Sequence, residues 1–358
     1  MGSVKKRTVF SDITSSNNNH ENIGIFDGNS YHKRKGKNLM KRSLKNKSTY
    51  ITDINNITNS TENKKRTQPP EQAPSREDLE YDQKIEDMLA VKEYSQDIFE
   101  YLYQLDYNYF KTLKTPSYKI DIINREILVN WIIKVHSYFG FLEETLYLTV
   151  YIIDKFQSLN PTSIADLQLL GITSLFIASK TEEIMVPRVI YYSYQTDGCF
   201  SVRDIINFEI QILETLQYDL TYANPLNFIR RITKADDFNL PRRTIAKYLL
   251  EITLIDSKHF DKFPRAQCAA AAILLSRIMF GKHGWGSDFI TYSGGYGKKD
   301  IIYICKLLIG YLLSPISHPD FQVKYESTRY LRASIICKEW VLAIMKQQKG
   351  KNLKKRVV

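Results

Sequence analysis

Lys180 and Glu209 are charged residues in settings that packing alone does not explain. The stretch LFIASKTEEI (175–184) runs apolar and small through a helical pattern, then ends in Lys180, Glu182 and Glu183. Two acids at the carbonyl end of a helix oppose its macrodipole. Further along, SVRDIINFEIQILETLQY places Glu209 four residues from Ile205, inside the apolar stripe of Ile205, Ile212, Leu213 and Leu216. A carboxylate on such a face needs a partner or a proton. Lys180 is the nearest candidate in a helical domain of this size. The chemistry is ion pairing, and it reads two ways: an intradomain salt bridge or snorkelling lysine, or charge displayed at a binding surface, where local rules are most often broken.

A second candidate lies in NREILVNWIIKVH. Leu128, Ile132, Val135 and Phe139 share one narrow helix face, as core contacts should. Ile127 and Trp131 fall about a quarter turn away, with Asn124 and Lys134 at the ends of that second stripe. Either the stripe packs on another helix, or an exposed Trp131 anchors a docking groove. Upstream, VKEYSQDIFEYLYQL sets Tyr94, Ile98, Tyr101 and Leu105 at helical spacing.

These residues need helices to position them, and the punctuation supplies helices. Gly140, Pro161 and Pro225 separate long 3.6-periodic runs, and alternating strand patterns are almost absent. Helices are predicted over 91–105, 121–139, 142–159, 163–184, 188–194 and 202–216. The second half echoes the first. NPLNFIRRI, RRTIAKYLLEITLIDSKHF and RAQCAAAAILLSRIMFG follow in the same order, and the small residues Ala269–Ala272 stand about 95 residues beyond Gly171, Ser174 and Ala178. Small side chains let neighbouring helices approach closely. The expected fold is all-α, an internal duplication of five-helix domains.

Charge is unevenly placed. The chain of 358 residues is +11 overall, yet residues 1–75 hold 14 Lys/Arg against 6 Asp/Glu, and 346–358 hold 6 Lys/Arg and no acid. The centre is therefore near −3, which argues against a nucleic-acid-binding core. Residues 1–75, rich in Asn, Ser, Thr and Lys, read as a disordered tail. The four cysteines are scattered, so neither a disulfide framework nor a zinc site is expected. No long apolar run or signal core suggests a membrane span or secretion. Six dispersed histidines, with no phosphate loop, H-E-x-x-H or G-x-S-x-G, give no case for an enzyme or for a cofactor.

Taken in order, NREILVNWIIKVH, ETLYLTVYIIDKF, LQLLGITSLFIASKTEE and FEIQIL resemble a cyclin box. NPLNFIRRITKADDFN with YSGGY resembles the fungal B-type cyclins, and the wording of the first box helix is most similar to their S-phase group. The resemblance covers residues 91–342. It implies a disordered basic regulatory tail (1–75), a linker and N-terminal helix (76–120), two cyclin boxes (121–222 and 223–342) and a basic C-terminal tail (343–358). It also implies a non-catalytic subunit that activates a cyclin-dependent kinase, with an S-phase role expected and a mitotic one as the alternative.

By the same resemblance Lys180, Glu182, Glu183 and Glu209 contact the kinase, together with Tyr94, Ile98 and Tyr101 of the helix before the box. Asn124, Ile127, Leu128, Trp131, Lys134, Leu167 and Gln168 match a docking patch for Arg-x-Leu motifs in substrates and inhibitors. Three positions depart from the family: Asn124 where many members have Met, Lys134 where A-type members have Glu, and Thr181 in place of an aromatic. RTVFSDITSSN (7–17) is similar to a destruction box, with Arg7, Phe10 in place of Leu, and Asn17, implying turnover by an anaphase-promoting ubiquitin ligase. Basic clusters at 5–7, 32–37 and 64–66 suggest a nuclear protein with a cytoplasmic pool. A double-cyclin-box transcription factor is the rival from another class, and the acidic core disfavours it.

Overall fold

The computed structural model describes residues 92–114 and 121–356. Among them every regular element is helical. Helix α1 (Ser95–Lys114) precedes a first group of five: α2 (Ile122–Phe139), α3 (Glu143–Leu159), α4 (Leu167–Glu182), α5 (Val189–Gln195) and α6 (Val202–Thr215). The second half repeats the order with α7 (Pro225–Ile232), α8 (Leu240–Ile255), α10 (Arg265–Met279), α11 (Ser287–Tyr292) and α12 (Lys298–Leu313). A single turn, α9 (Ser257–Phe260), is split from α8 at Asp256, whose side chain accepts from the His259 N–H and starts the turn afresh. The run expected to be one helix from 242 to 260 is therefore broken. Helices α13 (Pro319–Glu326) and α14 (Ala333–Arg356) complete the chain. Helix α14 continues to Arg356, so the basic segment 343–356 is helical over that length.

The small-residue segments are the two axles of the fold. In α4 every residue from Leu167 to Ser179 is buried, and in α10 all fifteen are. Helices α2, α3, α5 and α6 pack around α4, while α7, α8 and α12 pack around α10. Gly171 shows why side chains there must be small. A Cβ at that position would stand 2.7 Å from Leu128 Cδ1 and 3.2 Å from Ile132 Cδ1, so α2 could not close on α4.

The two halves are joined by buried polar contacts. Arg125 of α2 makes a bidentate pair with Asp154 of α3 (2.7 and 2.8 Å), and its remaining nitrogen donates to the Leu254 carbonyl of α8 at 3.1 Å. Tyr109 of α1 donates to the same carboxylate at 3.0 Å. On another side Asn130 of α2 donates to Asp320 of α13 at 2.7 Å and accepts from the Phe321 N–H at 3.3 Å. In the second half Lys324 and Tyr325 satisfy the buried carboxylate of Glu251. No helix among the described residues is long and apolar enough to cross a membrane, and no group of three or more His, Cys, Asp or Glu there could hold a metal ion.

Candidate functional site

Helices α4 and α6 bring Lys180 and Glu209 together. Their side chains form an ion pair within the chain, so the partner sought by Glu209 is found without a second protein. The site is nevertheless open. Glu209 is 9% exposed, whereas the Lys180 side chain is 41% exposed and lies over the Phe176 ring at 4.4 Å. The ring supports the ammonium from beneath by a cation–π contact, which leaves its outer side to solvent. Helix α6 can present Glu209 because its N-terminus is closed by a capping box, Ser201 with Asp204.

Large apolar side chains flank the pair. Ile184 is 100% exposed and Met185 86%, in the segment leaving α4, and Ile206 and Ile210 stand exposed on α6, three residues before and one after Glu209. Thr181, where family members carry an aromatic, is exposed and spends its hydroxyl on the Ile177 carbonyl at 3.2 Å. Helix α1 adds a second apolar face. Tyr94, in the turn just before α1, and Ile98 and Tyr101, which the resemblance assigns to the kinase contact, are all exposed, and Phe99, Leu102, Tyr103, Asp106 and Phe110 form the inward side. Contiguous exposed hydrophobic groups of this kind mark interaction surfaces.

The two acids after Lys180 have different duties. Glu183 is taken up internally: its Oε1 accepts from the Leu142 N–H at 2.7 Å and from the Thr145 hydroxyl at 2.5 Å. It thus caps the N-terminus of α3, whose own N-cap residue, Leu142, has no side chain able to do so. This answers part of the sequence puzzle. A carboxylate that opposes the dipole of α4 serves the dipole of α3. Glu182 makes no such bond. Partial burial pushes its carboxyl above the usual range, with Glu144 and Glu183 adding like-charge repulsion.

The docking-patch residues divide by burial. Ile127 is 40% exposed, Lys134 is exposed and Asn124 partly so. Trp131, expected as an exposed anchor, is 7% exposed and belongs to the core, as do Leu128 and Leu167. The stripe therefore packs in the free chain. Gln168 is buried with its Oε1 lacking a hydrogen-bond partner, an acceptor held at the edge of this region. Arg7, Phe10 and Asn17 lie outside the described residues. Sequence reasoning missed Arg125, Asp154 and Asp106. The only signal for them was a charge at an inward helical position, the signal that did single out Glu209.

Fold and surface together define a tandem repeat of helical domains with a charged pair displayed between apolar side chains. Two family models match in succession, "Cyclin, N-terminal domain" over residues 97–221 and "Cyclin, C-terminal domain" over 223–339. The chain belongs to the cyclin family. G2/mitotic-specific cyclin-2 of Saccharomyces cerevisiae is 44% identical over 277 residues, covering 75% of this chain and 55% of that protein. G2/mitotic-specific cyclin-1 of the same yeast is 47% identical over 263 residues, covering 73% and 55%. G2/mitotic-specific cyclin cdc13 of Schizosaccharomyces pombe is 44% identical over 260 residues, covering 71% and 53%. The chain spans about half the length of these curated relatives.

Proposed function

We propose that the chain is a B-type regulatory subunit that binds and activates a cyclin-dependent serine/threonine kinase, and that it acts at entry into mitosis. The observation that carries the reading is the Lys180–Glu209 pair, formed before any partner arrives and set among exposed Ile184, Met185, Ile206 and Ile210. A preformed pair needs no reorganisation on docking, and an apolar rim excludes water from it. The chain contributes no catalytic group. It binds the kinase conformation with the regulatory helix rotated inward and shifts the population toward it by that differential affinity.

The mitotic timing is supported by the names of the relatives, all G2/mitotic-specific. It takes precedence over the S-phase expectation, which rested on the wording of one helix. Substrate and inhibitor docking through Ile127 and Gln168, nuclear import through the basic clusters, and turnover through Arg7 and Phe10 by an anaphase-promoting ubiquitin ligase belong to the same proposal.

The test is reconstitution. The full chain is mixed with a purified cyclin-dependent kinase and followed by co-purification and phosphorylation of a histone-type substrate. Co-elution with a gain in kinase activity is the expected result. A chain that neither co-elutes nor raises activity overturns the reading. Protein levels in synchronised cells separate the timings: accumulation that peaks during DNA replication and is gone before mitosis would restore the S-phase assignment.

A further inference from the structure

Helix α1 and the turn before it expose Tyr94, Ile98 and Tyr101 on one side, and on the other side one acid, Asp106, is deeply buried. Asp106 is 2% exposed, and its two oxygens accept from consecutive backbone amides of α10, Arg265 N at 3.1 Å and Ala266 N at 2.9 Å, across 159 and 160 residues of sequence. Those amides are the first of α10, which has Pro264 at its N-cap and therefore no side-chain cap of its own. The cap comes from another element. An aspartate that satisfies orphan amides is ordinary when it precedes its own helix. Here it ties one helix to the end of another.

Nearby contacts give the tie a direction. Tyr103, one turn before Asp106, stacks on Phe228 of α7 with ring centroids 5.0 Å apart and donates to the Tyr292 carbonyl at 3.2 Å. Its ring lies against Gly294, where φ is +78° and a Cβ would meet the ring at 2.6 Å, so the backbone itself forms the seat. Tyr109, one turn later, is bonded to Asp154 of the first box. Tyr103 is thus seated on the second box and Tyr109 on the first, with Asp106 between them at the junction.

We propose that Asp106 is a positioning residue for partner binding: by capping α10 from α1 it sets the rotation and axial register at which Tyr94, Ile98 and Tyr101 face outward. The inference rests on the reading that α1 contacts the kinase. A carboxylate with two fixed amide donors allows one placement along the helix axis. An apolar residue at 106 would let α1 slide or turn on its aromatic seats, with Ile98 and Tyr101 moving away from the positions they hold in the parent.

The experiment separates capping from positioning. In Asp106→Asn one acceptor becomes an amide donor facing an N–H, so one bond is lost while shape is kept. The full-length variant should bind the kinase about tenfold more weakly, the order expected for a hydrogen bond to a charged group, and its melting temperature should fall. Adding Pro264→Ser in the same chain gives α10 a local cap. If Asp106 positions α1, the serine restores the melting temperature and leaves the affinity weak, and amides of α1 stay less protected from hydrogen exchange than in the parent.

If Pro264→Ser restores both, Asp106 is only a cap and the proposal is wrong. Ile98→Ala combined with Tyr101→Ala tells the two failures apart. Should that pair weaken binding while Asp106→Asn does not, α1 contacts the kinase but Asp106 does not position it. Should that pair leave binding unchanged, the reading of α1 as a contact helix fails and the proposal fails with it.

Discussion

Replacing Lys180 by alanine should cost kinase binding at least as much as it costs folding. In the free chain the ammonium is 41% exposed, so water already screens much of its attraction to Glu209, and a pair of this kind contributes at most about 1 kcal/mol. Removing it leaves the Glu209 carboxylate, 9% exposed, with poorer solvation on an apolar face, a further loss of about 1 kcal/mol, at the low end for an unsatisfied buried group. A total near 2 kcal/mol should lower the melting temperature by about 4–8 °C in a chain of this size. Docking changes the balance. A partner that covers the outer side of the ammonium removes the screening water, and truncating a desolvated anchor costs about 2–4 kcal/mol, roughly 30-fold to 1,000-fold in affinity. Glu209→Ala should lose a similar amount, and the double variant should lose little more than either single one, because the two act as a unit. Calorimetric titration of each full-length variant with kinase, beside a thermal melt, checks this. A change in affinity below about threefold in both single variants, with the melt shifted as described, would show that the pair is structural and would refute the reasoning.

Glu183→Ala should destabilise the chain by about 1–2 kcal/mol through loss of the α3 cap, measured by urea unfolding, and an unchanged midpoint would mean that water replaces it. Because Trp131 is 7% exposed, Trp131→Ala should act mainly on stability, by about 3–5 kcal/mol, so the docking role is better read from Ile127. Ile127→Ala should raise KM for substrates with an Arg-x-Leu motif by about tenfold with kcat unchanged, and equal effects on undocked substrates would exclude it from the patch. Two deeply buried groups act in opposite senses on the pH dependence. Burial holds the His136 imidazole down at about 3, below its unfolded value, so its contribution to stability is lost as pH falls below about 6.5. Burial raises Asp106 to about 6, so its folded form takes up a proton first and its contribution grows as pH falls from about 6 to 4. Between pH 6 and 4 these two oppose each other, so Asp106→Asn should lose more stability than the parent for each unit that the pH falls. Denaturant melts at pH 4, 5 and 6 test the sign. Finally, Arg7→Ala with Phe10→Ala should lengthen the protein's lifetime in dividing cells, and unchanged turnover in a cycloheximide chase would show that Phe10 is not read as the destruction-box leucine.

Local pattern was enough to locate most helices up to Met279 and the two small-residue axles, because a 3.6-residue period and Gly or Pro breaks are written into neighbouring positions, while the helices beyond Met279 were not placed individually. Gly140 ends α2 in the left-handed region with φ +70°, and Pro225 opens α7, as their types require. Glu209 was legible for the same reason, a charge in an apolar stripe. What periodicity could not supply was the partner. Lys180 and Glu209 meet inside the chain, Glu183 reaches α3, and Asp106 reaches α10, across separations of 29, 41 and 159 residues. Which face of α1 turns inward was not legible either. Tyr94, Ile98 and Tyr101 keep helical spacing as well as Phe99, Tyr103 and Phe110 do, and only the seat at Gly294 and the amides of α10 choose which stripe turns inward. Trp131 is closed over by the packing of its helix. An amphipathic pattern records that a face is apolar, whereas burial, capping and pairing are settled by which other surface arrives to meet it, and that depends on how the two helical repeats close on each other.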